Sequence, residues 1–249
     1  MTFDFKWQFP VLPRKLNEHS QEVGVPVENW QPCRSPPSNV MSGQYCRLEP
    51  FDIKLHSDGL FKAFSLDTHA RNWTYLPYGP FEHKHQFVDW CSESCVGEDP
   101  LFHTVVDQSD DRITGMASYL RISPDVGSIE VGHIHFSPII QRTRLATEAM
   151  FLMMCRVFDE LGYRRYEWKC DALNAPSCGA AQRFGFKFEG IFRQALVYKQ
   201  RNRDTAWFAI LDSDWPTLRK GYEEWLAKEN FYADGQQIRT LTQCIDDCC

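Results

Sequence analysis

The sequence predicts a mixed α+β fold, and three observations carry that expectation. Apolar and polar residues alternate in short runs at 101–106, 112–122 and 127–136, the pattern of half-buried strands. One long stretch, 142–161, instead repeats Leu145, Ala149, Leu152, Met153, Val157 and Leu161 at helical spacing and stops at Gly162. A further strand at 164–170 follows that helix, so strand, helix and strand form a right-handed crossover whose two strands run parallel.

The other elements follow in chain order. Residues 1–44 carry Pro10, Pro13, Pro26, Pro32, Pro36 and Pro37 with little apolar periodicity and read as an irregular extension. Its rings Phe3, Phe5, Trp7, Phe9 and Trp30 favour wrapping around the domain, because a solvated tail seldom holds so many large apolar groups. A strand within 45–55 leads to a helical pattern through Leu60, Phe61 and Phe64, then to the aromatic loop 73–80 and a second helix around 87–95. The strands 101–106 and 112–122 are joined by the turn Asp107–Asp111. Beyond the crossover, a short helix runs from Asn174 to Phe184 and stops at Gly185. Antiparallel strands are expected at 186–192, 194–199 and 205–211, the last two joined by the turn 200–203. An amphipathic helix at 215–232 completes a domain spanning 45–232, and 233–249 is expected to be a poorly ordered tail.

A chain of 249 residues, 43% of them hydrophobic, can bury one full core. It has no run of about 18 apolar residues, the length a membrane span needs. Asp4 and Gln8 stand where an export leader carries its apolar segment, so the expected location is the cytoplasm, with reduced thiols. Cys91 with Cys95 and Cys244 with Cys248 share helix faces, but neither pair has a second pair or a histidine at finger-like spacing, and no metal is expected. Cys248–Cys249 has the form of a double-cysteine lipidation signal, yet Asp246–Asp247 replaces the usual basic helper. The net charge of −6 argues against nucleic-acid binding in spite of Arg164, Arg165, Arg201 and Arg203.

The chemistry concentrates at 137–149, where a long helix begins directly after a strand. Unpaired N–H groups and the positive dipole end make such a helix start an anion site suited to a pyrophosphate. Arg142 and Arg144 can add guanidinium donors.

Gln141 and Ala146 fall at the first and last positions of the pattern Q/R-x-x-G-x-G/A, and 141–149 ends in Ala146-Thr147-Glu148-Ala149. Together with Trp73–Pro77, Asn174–Ser177, Arg183–Phe186 and Asn202–Trp207, this order of motifs resembles the GNAT superfamily of N-acetyltransferases, in its RimJ/RimL-like branch, over roughly 45–216. One departure stands out. The glycine of the pattern, which lets a phosphate approach the backbone, is Arg144 here.

The resemblance implies a mixed, mostly antiparallel sheet splayed at its two parallel strands and flanked by helices, with acetyl-CoA in the gap. It implies acetyl transfer to a primary amine: a protein N-terminus, an amino acid or another small amine. Cofactor contacts would come from Phe136, Ser137, Gln141, Arg142, Thr143, Arg144, Leu145, Ala146, Thr147, Asn174 and Arg183. Glu130 would be the general base, Ser177 the acid for the departing thiolate, and Asn174 an orienting residue.

Some alternatives stay open at this level. His133 and His135 rival Glu130, although strict alternation puts them on the opposite face unless a bulge intervenes. Asn174 and Ser177 also suit a helix start, and Tyr166 or Tyr198 can replace Ser177 as acid. Trp73, Tyr75, Tyr78 and His133 would frame the acceptor, or the rings of the loop would form a core lid. The rival function is a regulatory module of the same fold that binds acyl-CoA without turnover, a reading that Arg144 favours. The partner is then a small amine or peptide end, and the chain is a monomer or homodimer.

Overall fold

The structure, a computed structural model, describes residues 13–248. Phe3, Phe5, Trp7, Phe9 and Cys249, on which the wrapping and lipidation readings drew, lie outside the described residues. The chain divides into two compact units at Pro32/Cys33. In the first, β1 (Arg14–Leu16) and β2 (Glu22–Gly24) pair antiparallel around Asn17, whose Oδ1 accepts the N–H groups of His19 and Gln21.

The second unit is built on one eight-stranded sheet. In chain order it contains β3 (Met41–Ser42), β4 (Cys46–Pro50), α1 (Ile53–Phe64), α2 (Lys84–Ser94), β5 (Leu101–Asp107), β6 (Ile113–Ser123), β7 (Ser128–Phe136), α3 (Arg144–Cys155), β8 (Arg165–Asp171), α4 (Ala175–Arg183), β9 (Lys187–Tyr198), β10 (Arg201–Leu211), α5 (Trp215–Leu226) and α6 (Leu241–Asp246). The spatial order is β3-β4-β5-β6-β7-β8-β10-β9. Only β7 and β8, the pair joined through α3, run parallel, as the crossover requires.

Each face of the sheet has its own core. On one side α3, α5 and α6 deliver Leu145, Ala149, Met153, Trp215, Tyr222, Leu241 and Cys244 onto Val105, Tyr119, Ile129, Val131 and Tyr166. On the other, α1 and α2 deliver Leu60, Phe64, Phe87 and Cys91 onto Phe102 and Met116. Local chemistry starts these helices where it should: Asp52 accepts the N–H groups of Lys54 and Leu55 to cap α1, and Thr143 caps α3.

Five sequence expectations change. The helix expected over 142–161 is α3 followed by a π-turn at Arg156–Glu160, closed by Leu161 N–H to Arg156 C=O at 3.1 Å. The strands expected at 186–192 and 194–199 are one continuous β9. Its turn into β10 is the pair Lys199–Gln200, both at positive φ, rather than 200–203. The last helix ends at Leu226 rather than 232, and the expected loose tail contains α6, held by a Thr240–Gln243 capping box and by buried Leu241 and Cys244. Among the described residues, no helix is long and apolar enough to cross a membrane, and no three His, Cys, Asp or Glu side chains are grouped to hold a metal ion.

Candidate active site

The parallel pairing of β7 with β8 runs from Ser128↔Arg165 to Val131↔Trp168 and ends there. Beyond that point β7 continues to Phe136 against β6 alone, and Lys169–Asp171 continue against β10 alone. The two strands diverge, and each turns backbone N–H and C=O groups toward the wedge between them. Such groups need partners. An extended ligand with its own amides can supply them as a partial strand.

A bulge falls at the mouth of this wedge. Gly132 faces Ser118 and His135 faces Met116, so His133 and Ile134 together oppose the single residue Ala117, with His133 at φ 50°. Alternation is thereby reset: Ile129, Val131, Ile134 and Phe136 pack on the α3 side, whereas the rings of His133 and His135 meet residues of the α1–α2 side. This corrects the expectation that the histidines lie opposite Glu130, because all three now share the face away from α3.

On that face Glu130 is buried at 3% exposure, and its Oε2 is held by Lys169 Nζ and Arg121 Nη1, each at 2.8 Å. Lys169 also bonds Glu167 Oε2 at 2.7 Å and lies 3.8 Å over the Trp207 ring. Burial raises the Glu130 carboxyl above its ordinary range, and the two cations oppose that rise. His133 Nδ1 meets the Tyr78 hydroxyl at 3.0 Å, and its ring lies 4.9 Å from Phe102. Burial lowers His133 to about 4. His135 is sandwiched by Phe64, stacked at 3.8 Å, and Trp73 at 4.2 Å, and burial takes it down to about 3. Both rings are neutral at physiological pH, and His135 is a core residue.

The aromatic loop divides. Trp73 is buried among Phe64, Tyr78, Phe81 and His135, so its ring is core and only its carbonyl faces outward, accepting from Lys199 Nζ at 2.8 Å. Thr74 C=O accepts from Arg201 Nη2 at 2.6 Å, and the Tyr75 hydroxyl donates to Leu173 C=O at 3.0 Å. The loop therefore bridges from the β9–β10 turn to the β8–α4 connection, across the end of the wedge. Tyr78 remains beside His133 on the wedge face.

At the start of α3, Gln141 Nε2 donates to Phe136 C=O at 3.0 Å and ties the strand end to the helix. Arg142 adopts φ 63°, and Thr143 Oγ1 accepts the Ala146 N–H. The first-turn amides of Arg144 and Leu145 have no intrahelical acceptor, as at any helix start. Ser137 is fully buried and Leu145 faces the core, so their side chains are structural. Arg183 reaches from α4 to Thr147 Oγ1 at 3.2 Å, half-buried, with no carboxylate in ion-pair range among the described residues. Its guanidinium also lies 5.3 and 5.1 Å from the rings of Phe184 and Trp225, and that of Arg144 likewise lies by the rings of Tyr45 and Phe231 at 4.9 and 4.5 Å.

At the other edge of the wedge, Asn174 caps α4 through its Oδ1 to the Ser177 N–H. Ser177 Oγ accepts the Trp168 Nε1–H at 3.0 Å, and its hydroxyl is also a side-chain hydrogen-bond partner of Cys170. Tyr166 is fully buried in the α3-side core, where its hydroxyl has no hydrogen-bond partner among the described residues, and the Tyr198 hydroxyl is engaged, donating to Asp171 Oδ2 at 2.7 Å. Sequence reasoning did not single out Lys169, Arg121 or Trp207. The alternation of Glu167 and Lys169 in one strand was the available signal.

The family model described as an acetyltransferase (GNAT) domain matches residues 46–187, more than half of the chain. The chain belongs to the GNAT acetyltransferase family. Among solved structures, a GCN5-related N-acetyltransferase from Brucella melitensis is 47% identical, covering 88% of this chain and 100% of that one with a TM-score of 0.87. A probable GNAT acetyltransferase from Chromobacterium violaceum is 40% identical over 83% of this chain and 98% of its own, with a TM-score of 0.74. RimL, a ribosomal L7/L12 α-N-protein acetyltransferase solved with coenzyme A, is 16% identical, covers 69% of this chain and 97% of its own, and has a TM-score of 0.57, a likeness of fold alone. No curated protein matches the chain. GNAT acetyltransferases use acetyl-CoA as donor, and the wedge between β7 and β8 belongs to the acetyltransferase fold.

Proposed function

We propose that this GNAT acetyltransferase moves the acetyl group of acetyl-CoA directly onto a primary amine at the mouth of the β7–β8 wedge. The observation that carries the reading is the end of parallel pairing at Val131↔Trp168, with Glu130 on one side of the opening and Ser177 on the other. The residues present fit the donor. The diverging backbones suit the pantetheine amides, and the first turn of α3 with Arg142 and Arg183 suits the phosphates.

Acetyl-CoA brings an activated thioester, and the chain's own groups must supply the proton traffic. Glu130 takes a proton from the incoming ammonium, directly or through water, and Ser177 returns one to the leaving sulfur. The need for a base depends on the acceptor. A lysine amine with a pKa near 10.4 is only about one part in 2,500 neutral at pH 7, whereas roughly a tenth of an α-amine is neutral. Tyr78 and His133 flank the opening as a neutral, hydrogen-bonded pair that can contact the acceptor's first atoms.

The test is coenzyme A release from acetyl-CoA with a panel of amines: free amino acids, short peptides with varied first residues, and polyamines. Turnover of one class assigns the acceptor. Tight binding of acetyl-CoA with no turnover across the panel would transfer the reading to a regulatory acyl-CoA-binding module. The Arg144 guanidinium, held between two rings, no longer favours that module.

A further inference from the structure

We infer that Lys169 is a positioning residue for the base, anchoring Glu130 through Oε2 alone so that Oε1 is the oxygen that accepts the proton. This rests on the reading of Glu130 as base. The carboxylate is asymmetric: Oε2 receives both Lys169 Nζ and Arg121 Nη1 at 2.8 Å, while Oε1 bonds nothing among the described residues. Oε1 points along β7 to the place where the parallel pairing ends, since a Cβ built on Gly132 would lie 3.9 Å from it. The same Cβ would meet Leu120 Cδ2 at 2.8 Å, so the glycine makes room for the Leu120 side chain beside the carboxylate.

Lys169 is suited to the task by its own confinement. Its ammonium is buried to 8% side-chain exposure, fixed by Glu167 Oε2 at 2.7 Å and by the Trp207 ring at 3.8 Å. Arg121, on β6, is the outer of the two cations at 56% side-chain exposure and is screened by water. The charged and titratable groups facing Glu130 are Arg121 from β6, His133 from its own strand, and Lys169 and Glu167 from β8. Trp207 on β10 adds a ring and no charge. Glu167 is in turn bonded by Arg165, which also pairs with Glu189 on β9. Removing Lys169 therefore removes the one buried cation that offsets the burial of Glu130, and frees the carboxylate to rotate.

The experiment is a carbon-13 NMR titration of the full chain labelled at glutamate Cδ, with the Glu130 signal identified by its loss in Glu130→Gln. Lys169→Met should raise the Glu130 midpoint by roughly 1 to 3 pH units, the range for loss of an adjacent opposite charge, and Lys169→Arg should restore it. If Lys169→Met does not fold, Arg121→Met should move the midpoint the same way by less. An unchanged or lowered midpoint in the folded variants would overturn the inference. The reading of Glu130 as base fails separately, through an unaltered pH–rate profile in Glu130→Gln with an acceptor that the wild type acetylates.

Discussion

Gly43 and Glu148 occupy adjoining space at the junction of α3 with the sheet, and neither can change independently of the other. A Cβ on Gly43 would overlap the Glu148 carboxylate. That carboxylate, itself buried, accepts the backbone N–H groups of Gln44, Tyr45 and Cys46 at 2.7, 2.6 and 2.8 Å, the last of them fully buried. The glutamate of the Ala-Thr-Glu-Ala sequence thus fixes the start of β4 against the helix whose first turn faces the wedge.

Glu148→Gln should cost about 1 to 3 kcal/mol, because its amide group turns an N–H₂ toward backbone donors and leaves at least one of them unsatisfied. Glu148→Ala should cost more. Gly43→Ala should destabilise through the clash, and the double variant Gly43→Ala, Glu148→Ala should be less destabilised than the sum, since the smaller side chain makes room. Urea unfolding of the four proteins measures this, and simple additivity would refute the shared-space account.

Sequence reading reached the crossover, the sheet and the start of the helix after β7 because those depend on local pattern: alternation, helical spacing and Gly162. It could not reach contacts closed by chain topology. Glu148 meets backbone 102 to 104 positions earlier, and no pattern around either segment advertises the other. The bulge at His133 was equally hidden, since Ile134 and His135 continue a plausible alternation while the backbone resets it. Trp73 is an aromatic residue in a loop, and only the packing of Phe64 and His135 around it makes it core. Lys169 was visible as a polar strand residue but not as the partner of Glu130, because strand register across a parallel pair is set by the intervening helix.

Acid should destabilise the fold through its buried histidines. His103, His133 and His135 are lowered by burial to about 4, about 4 and about 3, against an unfolded value near 6.5. Their contribution is fully present above pH 6.5. As pH falls through that value toward 4, the unfolded chain binds protons that the folded chain does not, and stability is lost by up to about 1.4 kcal/mol per pH unit for each histidine. The urea midpoint should therefore fall between pH 6.5 and 4, and His135→Phe, which keeps the stack on Phe64, should flatten the dependence. A parallel curve for that variant would exclude His135 as a contributor.

Arg144 and Arg183 should differ in cofactor affinity rather than in stability, since each packs on two rings and Arg183 alone also bonds a side chain in the first turn of α3. Arg144 is packed between Tyr45 and Phe231, so Arg144→Ala should lower stability by about 0.5 to 2 kcal/mol, the range for cation–π contacts, and change acetyl-CoA affinity little. Arg183 has no carboxylate partner among the described residues, packs on the rings of Phe184 and Trp225, and reaches Thr147 in the first turn of α3. Arg183→Ala should weaken acetyl-CoA binding by about 1.5 to 3 kcal/mol, as for a charge-assisted hydrogen bond. Calorimetric titration of both variants decides, and the reverse ranking would place the phosphates on the Arg144 side of the helix.

The Ser177 hydroxyl has a structural bond and a proposed chemical one, and the two can be pulled apart. Its oxygen accepts the Trp168 indole N–H at 3.0 Å, so Ser177→Ala orphans a donor in a residue only 5% exposed and should cost about 1 to 3 kcal/mol of stability. If its proton also goes to the departing thiolate, the same variant should lower kcat, and raising the pH should not restore it, because alkali supplies no proton to the leaving group. That contrasts with Glu130→Gln, whose loss should shrink as alkali makes the amine neutral without help. Trp168→Phe supplies the control. Added to Ser177→Ala, it removes the orphaned donor, so the pair should be less destabilised than the sum of the single changes, while kcat stays at the Ser177→Ala level. Unfolding curves and pH–rate profiles for the three proteins read out both effects. Recovery of kcat in the double variant would show that Ser177 acts only by holding Trp168 in place.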